Sequence, residues 1–233
     1  MKKKIMHINQ KFQTLIFSVF LLSAQNIYAK SSEIDRVNTI AQSMIGTFSN
    51  ESNQAQFSVK MTAAMEGVPE NEIQKRFDES GEKPLSTSEK MFEMLKQQYN
   101  VKDLKVIAPA FQKQMEVQGT VYNSCQLSGK PIKKQQTYEV PVTCNVPVIN
   151  FSTIQVPKKS AKESDAQYMA KVISLSSDHI SKAPREALKT SILIHRQADQ
   201  LIPEMDDPNY FPDTVTNKMT GTTEEELNQE NAK

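Results

Sequence analysis

Glycine and cysteine are both scarce in this chain, and each scarcity closes off a class of chemistry. Six glycines are spread over 233 residues, at Gly46, Gly67, Gly81, Gly119, Gly129 and Gly221. None falls in the G-x-S-x-G pattern that exposes a nucleophilic serine on a strained turn. None builds a loop whose backbone amides could cradle phosphate. The two cysteines, Cys125 and Cys144, stand 19 positions apart, so there is no C-x-x-C redox or zinc pair. Of three histidines, His7 lies near the N-terminus, leaving His179 and His195 as candidate bases or ligands. No metal or cofactor is expected from this inventory.

Neither sign of charge dominates: 28 basic side chains stand against 27 acidic ones. That balance gives no reason to expect a nucleic-acid partner. Long apolar runs are missing too. The one apolar stretch, Leu15 to Ala24, is about half of the roughly 20 residues a bilayer span needs. It follows Lys2, Lys3, Lys4 and Lys11 and precedes Asn26-Ile27-Tyr28-Ala29. A basic region, a short apolar region and a small residue in that order make a secretory signal peptide over 1–29, cleaved near Ala29. Cleavage moves the formal charge from +1 to −3, with no transmembrane segment expected in the mature chain and a periplasmic or secreted destination. There, one Cys125–Cys144 disulfide is the default state of two thiols. The midpoint between them falls at Lys134–Gln135, so a hairpin turning there would bring them opposite one another.

Capping boxes punctuate the mature chain. Ser32 and Asp35 precede Ile34, Val37, Ile40, Ala41, Met44, Ile45 and Phe48, an amphipathic helix over 33–48. Ser86 and Glu89 precede a second helix through Tyr99, and Ser164 and Gln167 a third through Ile180. Phe57, Val59 and Met61 alternate, as do positions between Val101 and Val121, and both stretches read as strands. Val140, Val142, Cys144, Val146 and Val148 share one face of a further strand. Pro141 and Pro147 interrupt its other face, which reads as a protected edge. Ala187, Leu188, Ile192, His195, Ala198 and Ile202 read as a last helix, and the acid-rich 203–233 as a disordered tail. The expected fold is a single α+β domain over 30–202, its antiparallel sheet covered by helices on one face. That order is loosely similar to the cones of the nuclear-transport-factor and cystatin-like architectures.

Candidate sites come from these placements. On a helix, Asp199 would lie one turn from His195 and orient its imidazole, the best catalytic pair on offer, although a histidine on an apolar face is ordinarily packing. His179, after Asp178 near a helix end, reads as a dipole cap. Met61 and Met65, and Met91 and Met94, are paired thioethers of the kind that hold Cu(I), or else core filling. Lys130, Lys133 and Lys134 with Lys158, Lys159 and Lys162 would form an anion-binding patch if the fold joins their loops. Such a patch suits an anionic surface or an acidic protein. With no nucleophile motif, the composite expectation is an exported, non-enzymatic binding or accessory protein. Two alternatives remain: a hydrolase using carboxylates such as Glu116 and Glu139 on facing strands, and an inhibitor or immunity-type protein with plugging basic loops.

Overall fold

The computed structural model describes residues 31–49, 51–81, 87–150, 154–205 and 210–220. The chain divides into Met1–Ser32 and Glu33–Lys233; the signal-peptide stretch lies outside the described residues, and the fold is that of the second unit. Its order is α1 (Glu33–Ser49), a short 3-10 turn (Glu51–Asn53), α2 (Gln54–Glu66), α3 (Glu70–Ser80), α4 (Thr87–Gln98) and α5 (Val101–Tyr122). Then come β1 (Gln126–Leu127), β2 (Ile132–Lys134), β3 (Thr137–Pro147), α6 (Asp165–Lys182), β4 (Arg185–Gln197), β5 (Gln200–Pro203) and α7 (Phe211–Thr220). The sheet is antiparallel, in the order β1-β3-β4-β5 with β2 also against β3. This is a mixed α+β fold, a curled antiparallel sheet partly covered by helices.

The core forms on one face of β3. Tyr138, Val140, Val142, Cys144 and Val146 alternate inward and are 2 % exposed or less, each valine contributing about 1.5–3 kcal/mol of transfer free energy. Helix α1 supplies Val37, Ile40, Ala41, Met44 and Ile45 against them, as its apolar spacing requires. The expected Ser164–Gln167 capping box is present on α6. Ser86 of the second expected box lies outside the described residues, although helix α4 begins at Thr87.

Four expectations are corrected. Residues 57–61 are helical, inside α2. Val59 and Ala63 pack with Ile73 in a separate cluster while Ala64, Met61 and Met65 face the main core. A helix that buries two faces shows no single stripe, and three apolar positions then mimic a strand. The stretch 101–122 is one helix, α5, capped by Asn100, whose side chain accepts from Lys102 N and Asp103 N. Its β-branched residues and Pro109 disguise a spacing in which Ile107 and Ala110 meet Ile173 of α6 and Val121 and Tyr122 enter the main core.

The predicted last helix is instead the β4–β5 hairpin. Leu188, Ile192 and His195 fit a helical period, but Ile192 and Ile194 also fit period two, and β3 offers a full-length partner from Thr137↔His195 to Pro147↔Arg185. A non-local ladder decides where local spacing fits both periods. Finally, residues 211–220 of the supposed tail form α7, with Phe211 and Val215 each 1 % exposed in the core. Their four-residue spacing is helical, and the surrounding acids mask it. Residues 221–233 lie outside the described residues.

The prolines of β3 also act differently from expectation. A strand residue's N–H and C=O point to the same side in an antiparallel ladder. Pro141 O accepts from Ser128 N at 2.9 Å, so Pro141 and, six residues on, Pro147 place their missing donors toward β1 and β2. The β4 side is left intact, and β4 fills it. On the proline side β1 and β2 are two and three residues long, and Ser124 Oγ accepts from Asn145 N at 2.9 Å beyond them. β3 is therefore a central strand whose one side is paired in fragments, and it is not a protected edge.

Candidate functional site

Cys125 and Cys144 are disulfide-bonded, with Cα atoms 4.0 Å apart. Cys125 follows the end of α5 and Cys144 sits in the core row of β3, so the bond ties the longest helix to the central strand. The β2–β3 hairpin turns at Gln135 and Gln136, one residue past the Lys134–Gln135 midpoint read from the cysteine positions.

His195 and Asp199 are not brought together. His195 lies on β4 opposite Thr137, where the even positions of β3 carry the ladder to β4 and the odd ones approach by their side chains. Thr137 Oγ1 is accordingly 2.8 Å from His195 Nδ1. The acid beside it is Glu204, with Oε2 2.6 Å from Nε2. Asp199 sits in the β4–β5 turn, where its carbonyl accepts from Arg36 Nη2 at 3.2 Å. The helical placement on which the His195–Asp199 pair depended is replaced by cross-strand packing.

The lysines are held locally. Lys133 lies 3.4 Å from Glu33 and its ammonium is 5.1 Å from the centroid of the Tyr138 ring. Lys134 pairs with Glu139 at 2.5 Å, and Lys159 pairs with Asp165. Lys130, Lys158 and Lys162 are exposed. The first trio flanks β2; the second leads into α6, a helix that runs about 27 Å before it reaches the sheet at Arg185. His179 sits in the last turn of α6, and its carbonyl receives the cap amide of Ala183. Glu116 and Glu139 are not on facing strands: Glu116 is on α5 and Glu139, engaged by Lys134, is on β3. Met61 and Met65 pack on the core. Met91 and Met94 diverge, Met94 being 55 % exposed. Among the described residues no group of three or more His, Cys, Asp or Glu is placed to hold a metal ion, and no helix is long and apolar enough to cross a membrane.

Two features were not legible from spacing. Glu33, at the start of α1, joins that helix to the sheet by accepting from Tyr138 Oη and, at 3.0 Å, from Arg196 Nη1. The Tyr138 hydrogen bond, with the charges of Arg196 and Lys133, holds its carboxyl below the usual range against a partial burial penalty. This is a clamp of fold-stabilising character, made by residues more than 100 positions apart.

The second is a cavity of about 540 Å³ between the end of α1, the 3-10 turn, α4 and α5. Phe48, Met91, Met115 and Tyr122 supply its apolar lining, and Ser49, Ser52, Gln54, Glu116, Gln118 and Asn123 its polar groups. Gly119 permits the close approach that closes it: a Cβ there would stand 3.2 Å from the Ser49 carbonyl oxygen. Burial pushes the Tyr122 phenol up to about 12, so it stays a neutral donor, directed at Pro212 O at 3.3 Å. A concave, largely apolar site with a few polar groups is the usual form of a small-molecule pocket. A shallower groove of about 730 Å³ runs between α5 and α6, past Val106, Pro109, Ala170 and Leu175. Helices α1, α4 and α5 each supply one apolar wall of the cavity, and no single segment carries a pattern that announces it.

No protein-family model matches this chain, and no curated protein sequence matches it. Among solved structures, the chain resembles a crystal structure of a protein from Bacillus subtilis subsp. subtilis str. 168 that is provisionally named a lipoprotein. The two are 12% identical, with a TM-score of 0.36 over 74% of this chain and 54% of that one. This chain therefore spans about half the length of that protein.

Proposed function

We propose that this chain is an exported, disulfide-stabilised binding protein that holds a small ligand between α1, α4 and α5. The observation that carries the binding reading is the roughly 540 Å³ cavity, whose lining surface is mostly apolar. Export is supported by the basic and apolar leader over 1–29 and by the Cys125–Cys144 bond, which belongs to oxidising compartments. The protein works in the periplasm or the secreted fraction after cleavage near Ala29.

Two measurements test the two halves separately. Intact-mass analysis of protein from the extracytoplasmic fraction should give a chain starting at Lys30 and lighter by two hydrogens than the dithiol. Recovery from the cytoplasm with the leader attached and both thiols alkylatable would refute export. A thermal-shift screen of small apolar compounds should then yield hits that raise the melting temperature and that vanish in Met115→Glu. Hits that survive that substitution would place binding elsewhere.

A further inference from the structure

We infer that this cavity selects organic cations: a ligand with a compact apolar body and a single ammonium head. The inference rests on the binding reading above and narrows it. Three properties of the lining point the same way. The rings of Phe48 and Tyr122 stand 5.2 Å apart between centroids, tilted by 32°, and aromatic faces attract cations through their quadrupole. Met91 and Met115 add polarisable sulfur and flexible walls that adapt to an irregular body. Among the described residues, Glu116 is the only charged side chain on the lining.

Glu116, like Asp78 beside Gln74, is held by a glutamine amide and not by a cation. Glu33, Glu66, Glu72, Glu93, Glu139, Glu163, Glu186, Asp165 and Asp178 are each engaged by a lysine or arginine. Glu116 accepts instead from the neutral amide of Gln112, Nε2 to Oε1 at 3.2 Å, and has no cationic partner among the described residues. An anionic ligand entering here meets an uncompensated carboxylate, and a neutral one gains at most a hydrogen bond from it. An ammonium on an apolar body takes up the rings, the thioethers and the carboxylate together. A pocket of this size accommodates a drug-sized molecule.

The test uses three probes of one shape: benzyltrimethylammonium, benzyl alcohol and benzoate, titrated into the full exported chain by calorimetry. Binding in the order cation, neutral, anion is expected. Glu116→Gln, an exposed position that does not threaten the fold, should weaken the cation about two- to fivefold, the effect of a solvent-exposed ion pair, and leave benzyl alcohol unchanged. Met91→Arg, which sets a fixed cation in the lining, should weaken benzyltrimethylammonium at least tenfold. Benzoate or benzyl alcohol binding as tightly as the ammonium, or a cation preference untouched by Glu116→Gln, overturns the inference. If benzyl alcohol binds without any preference among the probes and is lost in Met91→Arg, the cavity is a binding site and the cation selectivity is wrong. If no probe binds at millimolar concentration, both the selectivity and the binding reading fall.

Discussion

Replacing Arg36 by methionine should be among the most damaging single changes in this protein. The side chain is buried, 8 % exposed. Its guanidinium donates from Nε to Ala64 O and from Nη2 to Met65 O, both at 2.7 Å, and from Nη2 to Asp199 O at 3.2 Å. Ala64 and Met65 stand in the last turn of α2, where carbonyls have no helical partner and where a cation is favoured by the helix dipole. Hydrogen bonds to a charged group are worth about 1.5–3 kcal/mol each. The two short bonds therefore set a loss of roughly 3–6 kcal/mol, reduced by about 1 kcal/mol because methionine buries comparable apolar surface without a charge to desolvate.

Urea unfolding monitored by far-ultraviolet circular dichroism measures this loss directly. With a slope of about 2–3 kcal/mol/M, the midpoint should fall by roughly 1–2 M. Arg36→Lys keeps the charge but replaces a planar fork by a point donor, and should recover less than half of the difference. Hydrogen exchange should quicken at the end of α2 and at the 198–199 turn together, because one side chain ties both. A stability loss under about 1 kcal/mol, or a lysine variant as stable as the parent, would refute the assignment of Arg36 as the joint between α1, α2 and the β4–β5 hairpin.

Three further outcomes rest on the same geometry. The folded-state pKa of Glu33 is depressed from 4.5, so its stabilising contribution is present above that value and lost as pH falls through the folded value; Glu33→Gln should flatten the acid limb of the stability curve, and parallel limbs for the two proteins would refute the clamp. Reducing Cys125–Cys144, which closes a loop of 19 residues, should cost about 3 kcal/mol, and a melting temperature unchanged by reductant would contradict the role given to the bond. Phe211→Ala should cost about 3–5 kcal/mol, since Phe211 is 1 % exposed and stacks edge-on to Tyr122 with centroids 6.0 Å apart; a variant melting with the parent would return α7 to the status of a peripheral tail.

Where sequence and structure agree, the signal is local. Helix α1 shows its whole apolar stripe in one turn-by-turn pattern, α6 carries its capping box at fixed offsets, and β3 alternates five buried side chains on one face. Even the side on which Pro141 and Pro147 withhold their donors follows from residue parity. The candidate site is far less legible. Spacing joins Met91 to Met94, its sequence neighbour, whereas the cavity pairs it with Met115 from another helix. Likewise the acid beside His195 is Glu204, reached by the turn of a hairpin, and not Asp199.

The sequence by itself determined the pairing of its two cysteines, the helices with one clear apolar face and the inward row of β3, because each depends on residues close in the chain or on a count of two. Tertiary structure alone decided whether ambiguous spacings became helix or strand. Residues 185–197 became β4 because β3 had one uninterrupted side to pair, and residues 54–66 and 101–122 became helices with two buried faces because two separate clusters surround them. The cavity, the Arg36 joint and the Glu33 clamp belong to that second class. Each gathers side chains from elements distant in sequence, and no periodicity along the chain encodes a meeting in space.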